Sequence, residues 1–157
     1  MIRLIENHDH PQLIKLVNSI TEFSDDEKKV AIELIDDAIK NKESSHYKIF
    51  LSVENEIIEG YYCIGRRPLT EGVFDLYWIA VSPNCQSKGI GKKLLNHAEE
   101  YVEKNNGNWL LIETSSKDSY EKTRNFYLRN FYTIVAEIKD FYKAGDNLII
   151  FGKYLKI

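Results

Sequence analysis

The segment Gln86-Ser87-Lys88-Gly89-Ile90-Gly91 joins an apolar run ending at Val81 to a stretch with Ile90, Leu94, Ala98 and Val102 on one helical stripe. A glycine-bearing turn that opens a helix is suited to an anion. The first N–H groups of a helix have no partner within it, and the dipole adds positive potential there. Glycine lets the backbone approach a phosphate with no Cβ in the way. Lys88 and Lys92 add charge beside the turn. Two familiar phosphate loops fail on these residues. A P-loop ending in Gly91-Lys92 needs glycine in place of Gln86 and Ser or Thr in place of Lys93. A dinucleotide fingerprint starting at Gly89 needs a third glycine in place of Leu94, and it follows the first strand of its domain, whereas this loop follows the fourth.

Two carboxylates stand on strand-like segments. Asp75 lies ahead of Val81 on the same run, where an extended chain gives it a common face with Tyr77, Ile79 and Val81. Glu113 closes the run Trp109 to Glu113, ahead of Thr114-Ser115-Ser116. Either could take a proton, directly or through water, and solvent is the alternative to both. Cys85 abuts the glycine loop, but no His or acid is spaced to activate it, so it reads as a bystander. His8, His10, His46 and His97 make no metal-ligand spacing with the cysteines, so no metal is expected, and His97 is expected on the solvent side of its helix.

The elements that must position these residues follow from periodicity and turn signals. Ile2 to Glu6 reads as a strand, and Leu13, Leu16, Val17 and Ile20 mark a helix. A second helix follows Ser24, its expected N-cap, with Glu27 as capping-box partner and Val30, Leu34 and Ala38 in register. Tyr47 to Val53 and Ile57 to Ile64 flank Glu54-Asn55-Glu56 as a hairpin, and Val73 to Val81 is a further strand. The helix after Gly89, the strand Trp109 to Glu113, and a helix capped by Asp118 and ending near Asn130 come next. Tyr132 to Lys139 and Leu148 to Leu155 close the chain as a pair joined through Ala144-Gly145-Asp146-Asn147. Strand, helix, strand, helix, then two strands implies an α/β sheet of mixed direction.

At 157 residues, with 43% hydrophobic and 29% charged residues, residues 1–157 have the size and balance of a single domain. The net charge of -3 supplies no field for nucleic acid or anionic lipid, so neither is an expected partner. Two cysteines, and no basic stretch followed by a long apolar one at the start, suggest a reduced, cytoplasmic protein. No apolar run approaches the roughly 18 residues of a membrane-spanning helix.

The loop and its surroundings resemble motif A of the GNAT family of N-acetyltransferases, in which Gln or Arg, two residues, Gly, one residue, then Gly or Ala follow a strand ending in an Ala-Val-x-Pro-like turn. Gln86, Gly89 and Gly91 take those places after Ala80-Val81-Ser82-Pro83. Thr123-Arg124-Asn125-Phe126-Tyr127-Leu128-Arg129-Asn130-Phe131 is similar to motif B, with Asn130 in place of the usual Gly; Asn tolerates a left-handed helix terminus. The resemblance implies a largely antiparallel, mixed central sheet of about seven strands flanked by about four helices, splayed between the fourth and fifth strands. It implies acetyl-CoA as co-substrate, with no metal. The backbone of Ile79, Ala80 and Val81 would bond the pantetheine arm. Gln86, Ser87, Lys88, Gly89, Ile90, Gly91 and Lys92 would hold the pyrophosphate. Thr123 and Tyr120 would lie on the cofactor as well, although many members carry Asn where this chain has Tyr120, so that contact is lost or made differently. Tyr127 falls at the general-acid position, and Asp75 matches a place where some members carry glutamate; Glu113 competes with it as base.

The implied function is transfer of an acetyl group to a primary amine of a small molecule or peptide. A CoA-binding sensor without turnover is the alternative, and a purely structural domain the third reading. Acidic residues Asp25, Asp26, Glu27, Glu33, Asp36 and Asp37 could favour a cationic acceptor, or be ordinary solvated surface. Tyr61, Tyr62, Tyr77, Trp78 and Tyr142 could wall an acceptor pocket, or be core. A homodimer through edge strands is common in the resembled family.

Overall fold

A computed structural model describes residues 1–156. In chain order the elements are β1 (Ile2–Leu4), α1 (His10–Ser19), α2 (Asp25–Lys40), β2 (Lys48–Glu54), β3 (Ile57–Arg66), β4 (Val73–Val81), α3 (Ile90–Lys104), β5 (Trp109–Ser115), α4 (Glu121–Arg129), β6 (Thr133–Lys143) and β7 (Asp146–Tyr154). The strands form one seven-stranded sheet in the order β1-β2-β3-β4-β5-β7-β6. Pairs β1–β2, β2–β3, β5–β7 and β6–β7 are antiparallel, and β4–β5 is parallel. That parallel ladder runs only from Val73–Trp109 to Asp75–Leu111, although β4 continues to Val81 and β5 to Ser115, so the two strands are splayed. This is the mixed seven-stranded, four-helix arrangement that the resemblance implied.

By contacts the chain divides into two compact units, Met1–Gly65 with Tyr77–Glu100, and Arg66–Leu76 with Tyr101 onward. In the first, Leu13, Leu16, Val17, Ala31, Ile35 and Ala38 from α1 and α2 pack with Ile49, Leu51, Tyr61 and Cys63 of the sheet. Side chains alternate along a strand, so Tyr62 points opposite to Tyr61, toward α3, where its Oη is 2.8 Å from His97 Nδ1. Phe50 stacks on the Tyr62 ring with centroids 5.1 Å apart. Helices thus cover both faces of this part of the sheet. The β2–β3 hairpin closes through Asn55 and Glu56, both left-handed at φ 48° and 64°, the geometry that a two-residue turn needs to match strand twist.

Ser24 caps α2 as the sequence expects: Ser24 Oγ accepts from the Glu27 N–H at 3.1 Å and donates to Glu27 Oε1 at 3.2 Å, so the Glu27 side chain meets the Ser24 hydroxyl. The other acidic residues of this helix are partly committed. Asp36 lies 2.7 Å from His10 Nε2, and Asp37 accepts from Ser45 Oγ and Asn41 Nδ2 at 2.6 and 2.8 Å.

In the second unit, Phe74, Leu110, Ile112, Tyr127, Tyr132 and Phe151 are buried around β5, α4 and β7. Ser115 at the end of β5 donates to the buried Asp146 at the start of β7, and Arg124 of α4 donates to the carbonyls of Ser115 and Lys117 at 2.9 and 2.7 Å. These bonds fix the approach of the chain from β5 into α4.

Several expectations are corrected. Asp118 does not cap α4; it starts a single 3-10 turn, Asp118–Tyr120, and α4 begins after it with Tyr120 at its N-cap and no side-chain cap bond. β6 and β7 run longer than expected, so Ala144 and Gly145 alone join them, Gly145 supplying φ +82°. His97 is not a solvent-side histidine, because the Tyr62 hydroxyl holds its ring against the sheet. Tyr61 and Tyr62 are core, at 1% and 0% exposure, whereas Tyr77 and Trp78 are half-buried and Tyr142 is exposed. β6 is exposed at every position of its length.

Candidate active site

In the first unit, the residues expected to hold a cofactor form a turn shaped for an anion. Gln86, Ser87, Lys88 and Gly89 are exposed, and α3 starts at Ile90, which is buried and anchors the helix. Ser87 and Gly89 both have left-handed backbones, at φ 64° and 76°. Left-handed residues alternating with others turn successive N–H groups toward one point, the concavity that binds anions. A Cβ built on Gly89 meets nothing within 4 Å, so the space beside it is open. The residues present therefore fit a phosphate group. Lys88 and Lys92 are exposed beside the turn, Gly91 is half-buried, and Ile79, Ala80 and Val81 precede it on β4. Gly60 of β3 has a role that no motif reveals: a Cβ there would stand 2.7 Å from the Ala80 carbonyl oxygen, so only glycine lets β3 lie close to that stretch of β4.

The second unit holds the expected proton-transfer residues. Asp75 is 8% exposed, and both of its oxygens are taken. Arg67 Nε donates to Oδ1 and Oδ2 at 3.1 and 3.0 Å, and Arg67 Nη2 to Oδ1 at 2.8 Å. The same Nη2 is 3.5 Å from Glu113 Oε1. Glu113 is exposed, its side chain at 48%. The hydrogen bond to Asp75 raises the Arg67 guanidinium above its ordinary value, and the charges of Asp75 and Glu113 act in the same direction against the cost of burial.

Tyr127 projects from α4 into the core, with its ring 5.4 Å from that of Phe151 and 6.1 Å from that of Tyr132. Burial pushes its phenol well above the ordinary range and keeps it protonated. Tyr120 is buried in the turn before α4, with Lys117 Nζ 5.6 Å from its ring centre, and Thr123 is half-buried in the first turn of that helix.

The helix end after Tyr127 departs from the expectation that Asn130 takes the left-handed place. Asn130 is not left-handed, at φ -98°; the left-handed residue is Phe131, at φ 68°. Tyr132 N–H donates to the Tyr127 carbonyl at 3.1 Å and Phe131 N–H to that of Leu128 at 3.2 Å, the two bonds of a Schellman terminus with Phe131 in the usual glycine place. Asn130 instead uses its side-chain Nδ2 to donate to the Phe126 carbonyl at 2.7 Å.

A profile of the acetyltransferase (GNAT) domain matches residues 45–134, which is more than half of the chain. The chain belongs to the GNAT family. A GNAT-family protein from Desulfovibrio desulfuricans has a solved structure that superimposes with a TM-score of 0.95 at 35% identity, covering 99% of each chain. The GNAT fold recurs in the ribosomal-protein-S18-alanine N-acetyltransferase of Escherichia coli, at TM-score 0.76 and 19% identity over 100% of this chain and 94% of that one. It recurs also in an aminoglycoside 6'-N-acetyltransferase complexed with coenzyme A, at TM-score 0.76 and 18% identity over 100% and 98%. No curated protein matches the sequence.

Among the described residues, no group of three or more His, Cys, Asp or Glu is placed to hold a metal ion, and no helix is long and apolar enough to cross a membrane. Arg67 escaped the sequence reading, since it lies between strands in a segment without a motif. The only available signal was a cation a few residues before an acidic strand position.

Proposed function

We propose that this GNAT protein transfers an acetyl group from acetyl-CoA to a primary amine by direct attack in a ternary complex. The observation that carries this reading is the turn at Ser87 and Gly89, whose left-handed backbones open onto empty space at the start of α3 in a sequence that fits neither nucleotide loop. The structural neighbour complexed with coenzyme A supports the co-substrate, and neighbours named for acetylating alanine or aminoglycoside amines support an amine acceptor.

Acetyl-CoA supplies the activated acyl group and a thiolate as leaving group. The backbone N–H groups from Ser87 to Gly91 hold the pyrophosphate, Lys88 and Lys92 balance its charge, and Gln86 closes the turn. Main-chain groups of Ile79, Ala80 and Val81 orient the arm, and Tyr120 and Thr123 lie at the start of the helix that carries the acid. Tyr127, which burial keeps protonated in the resting protein, gives its proton to the departing sulfur. Glu113 takes the proton that the amine loses as its nitrogen bonds the acyl carbon and the carbon–sulfur bond breaks. Asp75 is less suited to that task, because both of its oxygens already accept from the Nε–H and Nη2–H groups of Arg67.

Thiol release from acetyl-CoA across a panel of amines tests the proposal. Turnover is expected with at least one amine, and Tyr127→Phe should lower kcat by about a hundredfold. A Tyr127→Phe variant with full turnover removes Tyr127 from the mechanism. Thermal stabilisation by acetyl-CoA with no thiol release on any amine would instead make the chain a binding module.

A further inference from the structure

Arg67 connects two strands at the place where their backbones cease to pair. The last rung of the parallel ladder is Asp75–Leu111, and Glu113 stands two residues farther along β5. The Arg67 guanidinium forks onto Asp75 of β4 through Nε and Nη2, at 2.8 to 3.1 Å, and the same Nη2 reaches Glu113 of β5 at 3.5 Å. Its own backbone is fixed: the Arg67 N–H donates to the Val73 carbonyl at 2.8 Å, and the Arg67 carbonyl accepts from Thr70 Oγ1 at 2.7 Å. The cation is thus anchored at its root and held at its tip by a carboxylate that is itself buried, while Glu113, at the other end of the bridge, is exposed.

We propose that Arg67 is a positioning residue for acetyl transfer. It ties Asp75 of β4 to Glu113 of β5 where the parallel ladder ends, and aims the exposed Glu113 carboxylate at the acceptor amine. This rests on Glu113 being the proton acceptor. The task needs the planar fork of arginine, because two N–H bonds must fix Asp75 while one of the same nitrogens faces Glu113. Lysine keeps the charge but not that geometry.

The experiment is a kinetic cycle on the full chain, with acetyl-CoA and the best amine of the panel. Arg67→Lys is expected to lower kcat about tenfold or more, as a displaced catalytic group does, while the KM for acetyl-CoA stays within about twofold. In an Arg67→Ala variant, added guanidinium ion should restore part of the lost kcat. In a Glu113→Gln background, Arg67→Lys should cost almost nothing further, because the two residues act as one unit. Parental kcat in Arg67→Lys, or costs that simply add in the double variant, would overturn the proposal while leaving acetyl transfer intact. Because Arg67→Lys preserves charge and size, the cycle remains decisive if Arg67→Ala does not fold. A parent chain that releases no thiol with any amine overturns the transfer reading, and this one with it.

Discussion

Tyr127 and Tyr61 show how burial assigns different work to the same side chain. Both phenols are pushed upward by desolvation, so neither ionises in the range where amines are acetylated. Tyr127 belongs to the helix that the family motif marks, and in the proposed mechanism the proton it retains goes to the leaving thiolate. Tyr61 is 1% exposed in the core beneath α1 and α2, and its hydroxyl is buried with no hydrogen-bond partner. An unpaired buried hydroxyl costs free energy that a phenyl ring does not. Tyr61→Phe should therefore stabilise the protein by about 1 kcal/mol, read as a higher midpoint in urea with an unchanged slope. A lower midpoint would mean that the hydroxyl has a partner in solution.

At the scale of elements, two turns decide what α3 and α4 can present. Gly89 at φ +76° costs little as glycine, but alanine in that conformation costs about 1 kcal/mol, and its methyl would enter the open side of the anion turn. Gly89→Ala should thus lower stability slightly and shrink the thermal stabilisation given by acetyl-CoA; an undiminished shift with acetyl-CoA would place the pyrophosphate elsewhere. At the end of α4 the argument reverses. Phe131 holds a left-handed backbone at φ 68° while its side chain is 82% exposed, so it pays the conformational cost with little packing in return. Phe131→Gly should stabilise the protein by roughly 1 kcal/mol without altering acceptor KM. Destabilisation would show that the exposed ring makes a contact worth more than the strain.

For the molecule as a whole, the perturbed groups predict a stability plateau with an edge on each side. Asp9 is held below the usual carboxylate range by its hydrogen bonds from Arg3, at 2.7 and 2.8 Å, and by the Glu6 N–H. Its folded form therefore binds protons less readily than the unfolded chain, and this stabilisation is present above about pH 4 and lost as pH falls through the folded value. Cys63, Tyr61 and Tyr127 are all raised, chiefly by burial. The unfolded chain releases these protons from about pH 8.5 to 10 while the folded chain keeps them, so the unfolded state gains and stability falls as pH rises through that window. Melting temperature should hold level near neutrality, decline below about pH 4 and decline again above about pH 8.5. In Tyr61→Phe the alkaline decline should be shallower, and an identical alkaline profile would show that this phenol is not held protonated in the folded chain.

Much of the fold was legible in local chemistry. The Ser24 cap, the Asn55-Glu56 turn and the glycine loop each depend on neighbouring residues alone, and a short-range pattern is what a sequence records. The turn proposed to hold the cofactor was legible as a turn for the same reason, because one loop and one helix start build it. The carboxylate end was not. Asp75 looked free as a strand acid, and only the packed structure brings Arg67 onto it, across a turn that carries no motif. Nor could the pattern decide between Asn130 and Phe131 as the left-handed residue, since that choice follows from where the Tyr127 and Leu128 carbonyls find their donors. The sequence by itself determined which residue types line the anion turn and which helix carries the tyrosine. Tertiary structure decided which polar groups are already paired, because pairing depends on residues that are distant along the chain and adjacent only after folding.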